Sequence, residues 1–253
     1  MGYGLISKLL AGAFLWTALV QANPLPENVQ SKIVSYLLPE NHPIKPELDA
    51  LFSSTRVILN LKTLEAAGFK KSKPRKFTRL IVTSHPQFPG YIFKLYLDAQ
   101  RYYKNTYEYI HWMMRVQGVE KVRHEINARG LQELFKAPKK WIYILPSTTS
   151  SRCKDYACKH CILVEEDMEL FSDAENKALW TSDFVSPQLL EGLFHILKTV
   201  GLDDCLKPDN LPFSKDGRVA FIDTQTFDRH VEYKRLLPFL SPVNQSYWKL
   251  LIK

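Results

Sequence analysis

Two short stretches near the C-terminal end carry residue types that can do chemistry. Residues 203–213 read DDCLKPDNLPF, and after the turn SKDG the chain continues as RVAFIDT over residues 218–224. A polar loop, a turn and an apolar strand ending in an acid put Asn210 and Asp223 at opposite ends of a small hairpin. An amide oxygen and a carboxylate that close are hard donors, suited to Mg²⁺ bridging phosphate oxygens. The competing expectation is an Asx-capped turn, for which the same residue types are common. A third chemical candidate is Lys94 in GYIFKLYL, residues 90–97. Strand alternation sets Tyr91, Phe93, Leu95 and Leu97 on one face and Ile92, Lys94 and Tyr96 on the other. A lone lysine among large apolar groups is either an edge-strand charge or a cation facing a cleft.

These residues need elements to hold them. FTRLIV (residues 77–82) and GYIFKLYL are β-branched and aromatic runs separated by a Pro- and Gly-containing loop, which predicts an antiparallel hairpin. WIYIL (141–145) and CILVE (161–165) predict a second strand pair around a loop over residues 146–160. Ahead of the first hairpin, residues 27–66 show amphipathic helical spacing, broken over residues 39–46. Between the hairpins, residues 99–118 and 119–135 read as two helical stretches. A linker is expected over residues 172–186, then a helix over residues 187–200 capped by Ser186 and stopped by Gly201. No internal repeat is visible, and the order implies an α+β chain with a sheet-rich first half and a helical second half.

The chain has 253 residues, an apolar share of 45% and a charged share of 24%, the proportions of an ordinary globular protein. Its first 22 residues hold one Lys and no acid around a twelve-residue apolar run, too short to span a bilayer comfortably and read as a cleaved secretory signal, or a tethering anchor if uncleaved. Removal leaves 231 residues and a net charge of +7. Five positive charges fall in KKSKPRK, residues 70–76, which reads as a solvated linker or as a loop binding phosphate or lipid headgroups of an anionic membrane. So local an excess argues against a nucleic-acid partner. Export favours disulfides among Cys153, Cys158, Cys161 and Cys205, in any of three pairings, with buried thiols or a metal knuckle around His160 as the alternatives. The scattered histidines, with no G-x-S-x-G or H-E-x-x-H, give hydrolase chemistry no support.

Taken together, these segments resemble the protein-kinase-like superfamily. Lys94 looks like the strand lysine that pairs with nucleotide phosphates, Glu125 in RHEINARGL like its helix partner, and CILVEEDMEL like the strand running into a hinge. KPDNLPF with FIDTQTF is similar to the catalytic loop and the metal-binding segment after it. The resemblance implies a two-lobed fold binding ATP and Mg²⁺. Asn210 and Asp223 would be metal ligands, Glu165 and Asp167 nucleotide-side residues, and Asp204 and Lys207 catalytic groups. It divides the chain into a signal (1–22), a helical extension with its basic linker (23–76), an N-terminal lobe (77–170) and a reduced C-terminal lobe (171–253).

The sequence departs from that pattern in ways that bear on turnover. Counting back from Asn210, the position of the catalytic base is Cys205, with Asp204 one place early. SHPQFPGYIFK has a single glycine, so the glycine-rich phosphate cover is missing, and Asp223 is followed by Thr224 and Gln225. Three functions remain open at this point. One is an exported kinase-like phosphotransferase on an unknown protein or small-molecule acceptor, with Asp204 as a shifted base. The others are a pseudokinase serving as a binding or scaffold module, and a basic surface-binding protein with no nucleotide site.

Overall fold

The computed structural model describes residues 25, 27–101, 104, 106–146 and 157–253. The expected signal at residues 1–22 and Cys153 lie outside them. Three helices lead: α1 (Glu27–Ile33), α2 (Lys45–Ser53) and α3 (Leu61–Ala66), the last closed at its start by a reciprocal cap between Asn60 and Thr63. Strands β1 (Ile81–Thr83) and β2 (Tyr91–Leu95) form the expected hairpin, with Val82 opposite Lys94. Helix α4 (Glu108–Ala128) follows as one continuous 21-residue helix where two stretches were expected. Its buried face carries Glu108, His111, Arg115 and Gly118 among the apolar residues, so no clean apolar stripe marks its true extent.

After the short β3 (Phe135–Lys136), strands β4 (Lys140–Ile144) and β5 (Cys161–Glu166) pair antiparallel, as the sequence predicts. β5 inserts beside β2, giving a four-stranded antiparallel sheet in the order β1-β2-β5-β4. The region expected as a linker contains α5 (Asp173–Trp180), started by Ser172, whose hydroxyl accepts from the Glu175 amide. α6 (Pro187–Val200) has the expected Ser186 cap and a left-handed Gly201 at its end. β6 (Val219–Ala220) runs parallel to β3, and α7 (Pro242–Leu251) closes the chain. The whole is α+β.

Three apolar clusters hold it together. On one face of the sheet, Leu48, Phe52, Ile58, Leu64 and Phe69 from the helical lead meet Phe93, Leu95, Tyr143 and Val164. On the other, Val29 and Ile33 of α1 and Trp112 and Val116 of α4 cover Tyr96, Ile142 and Leu163. A third cluster joins Val122 and Ile126 of α4 to α6, Trp180, Phe213, Phe221 and Trp248. α4 therefore belongs to both halves and ties the sheet to the helical part. Among the described residues, no helix is long and apolar enough to cross a membrane.

Candidate functional site

The sheet register decides which polar side chains meet. Lys94 lies opposite Leu163, while Ile92 lies opposite Glu165, and Glu165 lies opposite Lys140. Residues directly opposed share a face, and so do residues two apart on one strand. Lys94, Glu165 and Lys140 therefore emerge together, on the face that also carries α4. All three are buried: Lys94 Nζ lies 2.9 Å from Glu165 Oε1, and Lys140 Nζ 3.4 Å from Glu165 Oε2. Both lysines also donate to the carbonyl of Ile222, at 3.0 and 2.8 Å, one residue before Asp223.

Asp223 is reached from the other side by α4. Arg115 Nη1 donates to Asp223 Oδ1 at 2.5 Å, with the arginine side chain 5% exposed and the aspartate 28%. The approach is close because residue 118 is glycine: a Cβ there would lie 1.8 Å from the carbonyl oxygen of Thr224. Thr224 Oγ1 in turn donates to the Arg115 carbonyl at 2.9 Å. Asn210 is set by α5, since the buried Asn176 donates to the Pro208 carbonyl and accepts from the Phe213 amide, while Trp180 Nε1 donates to the Leu211 carbonyl. The expected linker is thus the buttress of the 208–213 loop.

A cleft of about 520 Å³ brings Lys94, Glu165, Asp167, Asn210 and Asp223 into one lining. Apolar walls come from Leu80, Val82, Ile92, Met168, Leu170 and Ile222. Arg75 lines it too, so the basic run does not end as a plain linker: its Arg75 amide donates to the Leu80 carbonyl, folding the turn over the cleft mouth. Three expected residues are elsewhere. Glu125 pairs with Arg129 at 2.9 Å, far along α4, and contributes nothing to the cleft. The carboxylate that meets Lys94 comes from strand β5, and the helix supplies Arg115 in its stead. Asp204 and Lys207 are exposed and outside the lining; the Asp204 amide donates to Thr226 Oγ1 at 3.2 Å, and its carbonyl accepts from the Asn210 side-chain amide at 2.7 Å.

The electrostatics follow from this clustering. Burial alone raises the Asp223 carboxyl, but Arg115, Lys94, Lys140 and Arg75 outweigh it and hold the group below the ordinary carboxylate value. Glu165 is held down in the same way against its burial, chiefly by Lys94 and Lys140. Cys205, where the resemblance to kinase-like proteins leads one to expect a base, is fully buried and donates its thiol to the Asp223 carbonyl at 2.8 Å. Burial, with the nearby Asp223 charge, pushes that thiol well above its ordinary value, so it serves as a hydrogen-bond donor and is no base. Cys161 is likewise a buried free thiol. Cys158 is disulfide-bonded, which removes it from any metal knuckle with His160.

Burial lowers Lys140 to about 8 from 10.5, with Glu165 only partly restoring it. Between those two values the unfolded chain binds the extra proton, so this group's contribution to stability rises with pH from about 8 to 10.5. Lys140→Met is expected to flatten the stability profile across that window, measured by urea unfolding at stepped pH; an unchanged slope would mean Lys140 titrates normally.

A divalent cation fits this donor set poorly. Asp223 spends one oxygen on Arg115, Asn210 is turned by its bond to the Asp204 carbonyl, and four protein cations already act on the aspartate. Among the described residues no group of three or more His, Cys, Asp and Glu side chains is placed to hold a metal. No protein-family model and no curated protein matches the chain.

Proposed function

We propose that the chain is an exported kinase-like nucleotide-binding protein that holds a ligand of the ATP class in the cleft between its sheet and its helical half, as a binding module without phosphoryl transfer. The observation that carries this reading is the convergence on one cleft of Lys94 with Asn210 and Asp223, which follow it by more than a hundred residues. An antiparallel sheet carrying the lysine, a helix after that strand, and β5 running into the connector at residues 166–170 support the two-lobed kinase-like arrangement. The connector offers two donors to a base: the Glu166, Asp167 and Glu169 amides are bonded to the Lys139 carbonyl, the Gly90 carbonyl and Asp167 Oδ1, whereas the Met168 and Leu170 amides have no partner among the described residues. The volume suits a nucleotide, since small-molecule sites span about 300–1,000 Å³.

Phosphoryl transfer also needs a group that accepts the acceptor's proton. Cys205 is protonated and turned to a backbone carbonyl, and Asp204 stands outside the cleft, so the binding-module reading is favoured over the transferase. Secretion through residues 1–22, and contact with an anionic membrane through residues 70–76, belong to the same proposal.

The test is thermal melting of the full chain with ATP, alongside a phosphate-release assay. At a hundred times Kd a ligand adds about 2.7 kcal/mol, a rise of about 5–10 °C in Tm for a chain of this size. A nucleotide-dependent rise without turnover is the expected result. Turnover lost in Asp223→Ala would restore the transferase, and no shift, with salt-sensitive binding to anionic vesicles, would overturn the nucleotide site altogether.

A further inference from the structure

The basic run ahead of β1 has no counter-charge. Between Glu65 and Asp98 the sequence holds no acid, and residues 70–79 carry Lys70, Lys71, Lys73, Arg75, Lys76 and Arg79. All six side chains are exposed, and none has an ion-pair partner among the described residues. Like charges gathered this closely repel one another, and an anionic surface relieves the repulsion. The same segment carries an apolar side chain with nothing to bury against. Phe77 is 83% exposed and belongs to none of the three apolar clusters; the Lys76 ammonium lies 5.6 Å from its ring centroid.

The turn that presents Phe77 is already formed. The Arg75 amide donates to the Leu80 carbonyl at 2.9 Å and the Arg79 amide to the Arg75 carbonyl at 2.8 Å, with Phe77 midway between the two arginines. Closure holds Arg79 at a φ of 60°, the left-handed region that disfavours a residue with a Cβ. Both ends of the segment are fastened. The Lys70 amide donates to the Ser84 carbonyl at 2.9 Å, Thr83 Oγ1 donates to the Lys70 carbonyl at 2.8 Å, and Phe69 and Leu80 are buried in separate clusters. A turn ordered beforehand gives up little freedom on binding.

Charge alone would suit any polyanion, and the ring narrows the choice. Stacking on unpaired bases goes with a basic groove that tracks a strand, whereas the cations here crowd one turn. A bilayer offers headgroups to the cations and the acyl boundary to the ring side by side.

We propose that residues 70–79 dock the chain on an anionic lipid bilayer, with Phe77 inserted at the headgroup boundary and the six cations on the headgroups around it. Arg75 and Leu80 also line the cleft, so docking sets the rim of the cleft against the membrane surface. The inference rests on the membrane contact included in the reading above, adds Phe77 as its anchor, and is independent of what the cleft holds.

The test mixes the full chain carrying Phe77→Trp with brominated phosphatidylcholine vesicles, with and without phosphatidylglycerol at about one part in three. Quenching of the emission that the substitution adds is expected with the anionic vesicles and is expected to disappear at about 0.5 M salt. Because this signal reads position 77 itself, attachment through residues 1–22 does not imitate it. Phe77→Ser is expected to bind the anionic vesicles about three- to tenfold more weakly, and the Lys71→Gln, Lys76→Gln pair about 10- to 30-fold, each cation contributing about fivefold. All three positions are exposed, and melting curves verify the fold. Binding that the lysine pair weakens, without quenching, would overturn the anchor and leave the electrostatic membrane contact standing. Binding that neither quenches nor responds to the lysine pair would overturn both. Duplex DNA bound as tightly as the anionic vesicles, again without quenching, would make the run a general polyanion site and overturn the proposal.

Discussion

Asp98→Asn is expected to cost about 3–5 kcal/mol of stability, lowering Tm by about 10 °C or more, because it strips one partner from a buried ion pair. Asp98 is almost wholly buried and accepts from Arg56 Nε at 2.8 Å, Arg56 Nη2 at 3.0 Å and the Lys159 amide at 2.7 Å. Arg56 Nη2 also donates to the Lys159 carbonyl. The pair thus fastens the end of the helical lead to the segment after β2 and to the approach of β5. The backbone reinforces it, with the Asp98 and Ala99 amides donating to the Ile58 and Leu59 carbonyls. In the variant the buried guanidinium keeps only a carbonyl and a neutral amide. Guanidinium unfolding of both proteins measures the loss; a change below about 1 kcal/mol, the range of an exposed pair, would show that the site is wetter than its geometry implies. Neither residue lines the cleft, so ATP affinity of the folded variant is expected to stay as it was.

Lys94→Met is expected to weaken ATP binding by about 30- to 1,000-fold, equivalent to roughly 2–4 kcal/mol, with the fold retained. Lys94 is the cation of the cleft lining that is buried against Glu165, so its contact with a phosphate would be made out of bulk water. Methionine keeps the length and the apolar stem among Ile92, Leu80 and Val82. Glu165 is not abandoned either, because Lys140 remains 3.4 Å away. Calorimetric titration with ATP reads the effect, with a melting curve to verify folding. ATP affinity equal to that of the unaltered chain would separate Lys94 from the ligand and leave it as a purely structural partner of Glu165.

What could be read from the sequence was what period and residue type encode. Alternation in GYIFKLYL placed Lys94 and Ile92 on a common face, and the pairing of β2 with β5 turns that face to the cleft. Asn210 and Asp223 were found because a short hairpin carries its own turn chemistry. Arg115 went unseen: it sits in an aromatic-rich stretch that reads as core, on a buried helix face where polar side chains interrupt the apolar stripe. Lys140 follows Lys139 with nothing in the sequence to single it out, yet this first residue of the edge strand β4 is buried. Glu125 was chosen by chain order alone, and order does not say which turn of a 21-residue helix faces the sheet. The pairing of Lys94 with Glu165 spans some seventy residues, and only the strand register reveals it.

The strand order bears on how the chain acquires its shape. β2 has β1 on one side and, on the other, β5, which lies some seventy residues downstream. Until residues 161–166 have been made, the helical lead and the first hairpin have half a sheet to rest on, and Phe52, Phe69, Phe93 and Leu95 share a cluster that lacks Ile162 and Val164. Pairing so distant in sequence is slow, since the loop must close before the contacts repay it. Folding of the first half therefore waits on synthesis of the second, and the nascent chain passes through a long interval without a closed sheet, the state in which a polypeptide is most easily threaded and most in need of protection from aggregation.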